Sequence, residues 1–575
     1  MENVLVINLH GGIPSCMIKK IFKQLPNFSQ IASSSDFYNR VYPTNAAAGP
    51  SLHDIIMDAP LGSMTDSIWH NEWCFARRAT RTIFNIFQQN GFTTNLFGSF
   101  GLEKKLDPHC NVCSYPGNSK KSLKLYGIDN FETQDSAFTC QMAFVHDQDV
   151  MDRCCTFFEN ISKDTSNFTV INLLGCQDIH KCNFEKVEEN NVSIPIISAQ
   201  EIEDWSKNGS LSEMTFENID SRHYAENVND DPRNENSNSA NIEALCRSAM
   251  IYDWLRGNSN NKKNKNEILQ KVSELHRFAW KCLIEIDKKV GKLMQTLKDT
   301  NLYDKTRIYI TCDHPLSLFE HGQICESPYD SCLRSFLLIH HPKQTSSREL
   351  DTPYSLGYLS TQILNDSQIV ADWHINIKSS YVLTLGLCPS WLCRAFIEPK
   401  INVFEFRTFY FRCIINRYGR IYSIVVWFSI TDLFDSNDIY FQSLTPHEMS
   451  AICEQTHEWH NPIYKKDIVD LPSIQVFDLS TDQYELENIA TKKWLERGPA
   501  NAIKNELDDA IEQYGYTRLK ILFPKDVHIM TPDKITFCSV QLHHRVRERI
   551  KKEEKFTIQS TYTQTQENTL SSIIK

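Results

Sequence analysis

The sequence predicts an α/β fold, with a largely parallel central sheet followed by a smaller antiparallel sheet toward the C-terminus. Three observations carry this. Residues 1 to about 200 alternate strand-like and helix-like patterns. The run from Ile308 to Thr311 stops abruptly at Cys312, Asp313 and His314, the way a buried strand of an open sheet ends at a ligand-bearing edge. Two β-rich runs, Phe404 to Phe411 and Ile421 to Phe428, then follow one another with no helical pattern between them, as antiparallel neighbours do.

Taken in order, Asn3 to Leu9 is the first core strand and leads into His10, Gly11 and Gly12. Residues 81–87 form a helix before a turn at Gly91, and Phe168 to Leu174 is a second buried strand. From about 204 to 266 the composition shifts to Asn, Ser, Asp and Glu, which reads as a polar insertion able to receive a protein partner. Phe278 to Leu297 carries apolar residues at helical spacing, and Asn301 to Thr306 turns into the strand that ends at Asp313. Tyr329 to Arg334 feeds a further apolar strand that closes at Pro342. The expected division is 1–395 for the α/β domain, 396–546 for an α+β subdomain and 547–575 for a polar tail.

Composition limits the functions available. A chain of 575 residues with 41% hydrophobic content can bury a large core, and a net charge of −11 argues against nucleic acid as the main partner. No apolar run is long enough to span a bilayer, and the N-terminus lacks a basic region and cleavage site, so the expected location is the cytoplasm. The 19 cysteines then read as thiols rather than a disulfide framework. Cys110 and Cys113 form a single Cys-x-x-Cys pair with no second pair at zinc spacing.

The order helix, Leu302-Tyr303-Asp304 turn, strand, Asp313-His314, then Glu320-His321-Gly322 and an apolar strand ending in Pro342 resembles the sulfatases of the alkaline phosphatase superfamily. A second landmark agrees: Phe477, Asp478, Leu479, Asp482, Glu485 and Asn488 fall as in that family's C-terminal Tyr-Asp-Leu-x-x-Asp-Pro-x-Glu-x-x-Asn-Leu segment. The resemblance implies an alkaline-phosphatase-like α/β/α sandwich, a calcium or magnesium ion and a sulfated or phosphorylated small molecule or glycan as substrate. It also implies where the working residues should stand. In the family the first strand ends in two metal-binding Asp residues, and here His10 and Gly11 occupy those places. The Cys of the Cys-x-Pro-x-Arg motif, converted to formylglycine in sulfatases, is matched by Ala48, and the Arg by Leu52. In the Gly-Tyr-x-Thr-x-x-x-Gly-Lys-Trp-His segment, Ser99 replaces the Lys and Gly101 the His. His180, Asp313 and His314 match retained positions.

No formylglycine can form at Ala48, because a methyl group offers no nucleophile. Two functions remain open. One is a pseudoenzyme that binds a sulfated, phosphorylated or protein partner, or serves structurally, and this is the favoured reading. The other is a rebuilt hydrolase: His10, His180, Asp313 and His314 would gather zinc or manganese, with water, Thr44 or Ser51 as the nucleophile. The plainer roles are a polar strand end for His10, a structural turn for His321, and turn or cap residues for Thr44 and Ser51.

Overall fold

The structure is a computed structural model that describes residues 3–11, 17–44, 55, 82–98, 127–132, 141–162, 165–175, 265–315, 328–370, 381–388, 408–417, 419–428, 474–485, 487–490 and 505. Among these, one mixed sheet has the spatial order β4-β3-β5-β1-β6-β7-β2-β8, with β9 also beside β2. Its strands are β1 (Asn3–Leu9), β2 (Asp36–Tyr42), β3 (Thr93–Phe97), β4 (Asn130–Glu132), β5 (Asn167–Leu173), β6 (Thr306–Thr311), β7 (Ser335–His340), β8 (Arg348–Leu350) and β9 (Tyr354–Ser355). From β4 through β6 every pairing is parallel, whereas β7 runs antiparallel to both β6 and β2.

Helices cover both faces, which makes the domain an α/β/α sandwich. On one face Leu5, Ile7, Leu9, Ile308, Ile310, Phe336 and Leu338 meet α1 (Ile18–Gln24), α2 (Pro26–Ala32), α4 (Gln141–Asn160) and α5 (Lys265–Asp299). On the other, Val4, Val6, Val170, Tyr309, Leu337 and Ile339 meet α3 (Ile83–Gln89) and α6 (Leu359–Asp366). Burial on both faces explains why β1 and β7 read as nearly continuous apolar runs.

Polar residues inside the sheet are paired across it. Asn8 and Asn172 stand opposite one another, and Asn8 Nδ2 donates to Asn172 Oδ1 at 2.7 Å. Asn95 Nδ2 donates to Thr169 Oγ1 at 3.2 Å. The helices are fixed by similar local devices. Thr82 and Asn85 form a reciprocal capping box at the start of α3. Asp287 of α5 accepts hydrogen bonds from the Phe28 backbone at 2.7 Å and from Asn27 Nδ2 at 2.9 Å, which satisfies the first turn of α2. α5 starts at Lys265, well ahead of the apolar spacing that begins at Phe278. Gly98, at φ +90°, follows β3 where a Cβ would overlap the carbonyl oxygen of Asn172. Only glycine fits this close approach.

The second sheet is antiparallel with order β10-β11-β12-β13, made by Tyr381–Cys388, Thr408–Arg417, Arg420–Phe428 and Ile474–Asp478. Its first strand lies ahead of residue 396. The expected 404–411 run is described from Thr408 onward, and the rest of it, like the 204–264 part of the polar insertion and the 547–575 tail, lies outside the described residues. A joint core of Tyr42, Tyr329, Leu333, Val382, Ile414, Val425 and Phe477 packs this sheet against the large one. The described cysteines 154, 155, 282, 312, 332 and 413 are buried, and no described helix is long and apolar enough to cross a membrane.

Candidate functional site

β1 and β6 are hydrogen-bonded neighbours whose last registered pair is Asn8 with Thr311. The residues just beyond that pair therefore emerge together at the C-terminal edge. β1 is also where successive strands change sides of the sheet, and in open α/β sheets that edge position is where ligands bind. His10 and Asp313 meet here across 303 residues of sequence.

Asp313 is fully buried, and its carboxylate is gripped from three directions. His10 Nδ1 lies 2.6 Å from Oδ2, His314 Nδ1 lies 3.0 Å from the same oxygen, and the Gly11 backbone N–H donates to Oδ1 at 3.1 Å. The left-handed turn at Gly11, φ 55°, aims that N–H inward, and the His10 N–H donates to the Leu173 carbonyl at 2.8 Å, which ties the turn to β5. The two imidazole rings meet edge to face with centroids 5.2 Å apart.

Burial alone would raise the Asp313 carboxyl. The adjacent imidazoles outweigh that, through their positive charge and their hydrogen bonds, and hold it well below the usual carboxylate range. An ionised carboxylate only accepts, so each Nδ1 facing it carries the proton.

Donor chemistry tests which cation such a site suits. Calcium and magnesium need six or more oxygen donors, or ordered waters in their place. The trio supplies one carboxylate, already engaged on both oxygens, and two nitrogens. It does not fit the family's hard cation. Its ligand atoms do lie within 4.8 Å of one another, and two imidazoles with one carboxylate are donors that zinc or manganese accepts.

Of the residues singled out from sequence, His10, Asp313 and His314 are thus brought together. Thr44 lies buried just past β2, at the same sheet edge but separated from β6 by β7. Next to it the Pro43 carbonyl accepts from Thr384 Oγ1 at 2.6 Å, which links this turn to the small sheet. Ala48, Ser51, Leu52, Ser99, Gly101, Cys110, Cys113, His180 and His321 lie outside the described residues.

Sequence reading missed a second polar centre, at the seam of the two sheets. Arg412 of β11 is fully buried under the Tyr42 ring, its guanidinium carbon 5.1 Å from the ring centroid. It binds Asp330 and Glu485 through Nη2, the latter at 2.8 Å, and Ser423 Oγ through Nε at 3.0 Å. Tyr42 also donates to Asp330, at 3.1 Å. Burial would raise Asp330, but Arg412, Arg334 and Arg40 overcome it and hold the carboxyl low. A single Arg in the middle of an apolar β-run, Phe409 to Ile415, was the available signal.

The sulfatase family model matches residues 25–365. No curated protein matches the chain. Among solved structures, the phosphonate monoester hydrolase of Agrobacterium radiobacter is 12% identical with a TM-score of 0.54, covering 90% of this chain and 96% of its own. The phosphonate monoester hydrolase SpPMH from Silicibacter pomeroyi is 14% identical with a TM-score of 0.52 over 90% and 96% of the two chains. BT4656, solved in complex with its substrate D-glucosamine-2-N,6-O-disulfate, is 14% identical with a TM-score of 0.52 over 91% of this chain and all of that one.

Proposed function

This chain belongs to the sulfatase family of the alkaline phosphatase superfamily, and from that premise we propose that it is a degenerate member, a binding or structural module without ester turnover. The observation that supports this most is the state of Asp313. Its carboxylate is satisfied by His10, His314 and the Gly11 N–H, so protonated imidazole nitrogens stand where a ligand for a hard cation would be. The sequence points the same way at three independent places. Ala48 stands at the nucleophile, Ser99 at the sulfate-binding Lys, and His10 with Gly11 at the first-strand Asp pair. Losing one would weaken catalysis; losing all removes covalent attack and charge neutralisation together.

The ligand class that the family suggests is a sulfated or phosphorylated small molecule or glycan, and the 204–266 insertion is the segment we assign to a protein partner. The sulfatase-like domain expected at 1–395 would end instead ahead of Tyr381, where the small sheet begins, and the C-terminal subdomain would run from there to about 546. The close spacing of the trio supports a second reading, a rebuilt hydrolase. There His10, Asp313 and His314, with His180, would hold zinc or manganese, whose Lewis acidity would make water or a hydroxyl such as Thr44 or Ser51 a better nucleophile. An assay with aryl sulfate, phosphate and phosphonate esters separates the two. We expect all three at background, and Ala48→Cys to stay there, since the cysteine alone restores neither metal nor sulfate ligands. Ester turnover abolished by Asp313→Ala would overturn the proposal in favour of the rebuilt site.

A further inference from the structure

His340 ends β7 beside Ile308, near the start of β6 and so away from the sheet edge that carries His10. The side chain is buried, and its ring is engaged at one nitrogen only. Nδ1 lies 2.9 Å from the Ser34 carbonyl oxygen and 3.4 Å from Ser34 Oγ, whose hydroxyl donates to the Ile31 carbonyl at 3.5 Å. A carbonyl only accepts, so Nδ1 carries the proton and Nε2 of the neutral ring is bare. Nε2 is buried and has no hydrogen-bond partner among the described residues.

The groups packed around the ring offer no acceptor for a second proton. From the turn ahead of β6, Tyr303 lays its ring against the imidazole, with centroids 4.8 Å apart and planes tilted by 35°. Lys298 of α5 holds Nζ 5.2 Å from the centroid of the same tyrosine, while Asp304 and Lys305 are exposed. The buried carboxylate of this corner, Asp36, is taken up by Arg348 and Gln344 and has His341 Nε2 at 3.8 Å. Burial disfavours the charged ring, and the Ser34 carbonyl does not make up for it. With His341 and Lys298 also opposing a positive charge and Asp304 favouring one, the His340 imidazole titrates below its ordinary value.

The Ser34 carbonyl belongs to the corner where α2 turns into β2, and that corner also holds the outer strand of the sheet. The Arg348 N–H donates to the Ser35 carbonyl at 3.1 Å, and β8 starts in register with Asp36. We propose that His340 is an acid-sensitive latch on this corner: the neutral ring fastens Ser34 to β7, and a proton taken up at Nε2 expels the ring and releases the corner together with β8. The unfolded ring binds its proton more readily than the folded one. The contribution of the latch is therefore fully present above the unfolded value of about 6.5 and is lost as pH falls through the folded value.

The test is hydrogen exchange of the full chain, read by mass spectrometry at about pH 7.5 and about pH 5.5, on either side of the histidine range. Protection is corrected for the intrinsic exchange rate at each pH. Peptides spanning 26–42 and 345–351 should lose protection severalfold at the lower pH, whereas β1 and β5 keep theirs. His340→Gln, which retains an N–H donor for the Ser34 carbonyl and cannot titrate, should be protected alike at both. His341→Gln should still respond as wild type, and with the wild-type profile it decides between the two histidines if His340→Gln does not fold. A corner equally protected at both pH values in wild type, an acid response that survives in His340→Gln, or one lost in His341→Gln would each overturn the proposal.

Discussion

The two buried carboxylates, Asp313 at the sheet edge and Asp330 at the seam, are held in the same way by different partners. Each is desolvated, each is kept ionised by neighbouring cationic groups, and each accepts several hydrogen bonds. Asp330 is surrounded by guanidinium groups, which stay charged at any ordinary pH. Asp313 is held instead by two imidazoles, His10 at 2.6 Å and His314 at 3.0 Å from one of its oxygens. The first arrangement is permanent and ties two sheets together. The second stands at the C-terminal edge of the large sheet, with both carboxylate oxygens accepting hydrogen bonds.

The largest expected separation between the two comes from removing the cation at each. Arg412→Leu strands Asp330 and Glu485 inside the seam and should cost about 3–5 kcal/mol, the range for breaking a buried pair, read as a lower urea midpoint. His10→Ala removes one of the hydrogen bonds to Asp313, and we expect the smaller loss of about 1–3 kcal/mol. Equal losses would mean that the sheet edge is as structural as the seam.

Acid should sharpen the contrast further. The Asp330 carboxyl is lower in the folded chain than in the unfolded one, so the unfolded state binds the extra proton first. Its contribution is fully present above the unfolded value of about 4 and is lost as pH falls through the folded value. Stability measured by urea unfolding should therefore drop below about pH 4, and Asp330→Asn should flatten that drop while lowering stability at pH 7. A variant whose acid slope matches wild type would remove Asp330 from the account of the seam. The smallest expected effect is that of Ala48→Cys, which should leave both stability and ester turnover at wild-type levels.

How far these features could be read from sequence depended on how local they are. β1, β5, β6 and β7 showed themselves as apolar runs because both faces of the sheet are covered. Asp313 and His314 were legible because a strand ended in them, and His10 because β1 did the same. Their convergence required the parallel pairing of β1 with β6, which no local pattern encodes. The Gly11 N–H donor was invisible, since any residue offers an N–H and only the φ 55° turn aims this one at Asp313. The seam was harder still. Arg412 stands 82 residues from Asp330 and 73 from Glu485, so its meaning as an ion-pair partner appears only once the sheets pack. Glu485 was noticed within the C-terminal motif, but its burial against Arg412 was not. The early strand Tyr381–Cys388 was missed because its run falls within a stretch read as regular α/β.

The trio of His10, Asp313 and His314 is best judged by the metal content of the purified, unchelated chain, determined by elemental mass spectrometry beside a His10→Ala/Asp313→Ala double variant. A site closed on itself by hydrogen bonds predicts far less than one divalent ion per chain and no difference between the two proteins. Near-stoichiometric zinc or manganese that disappears in the double variant would contradict it and establish a rebuilt metal centre.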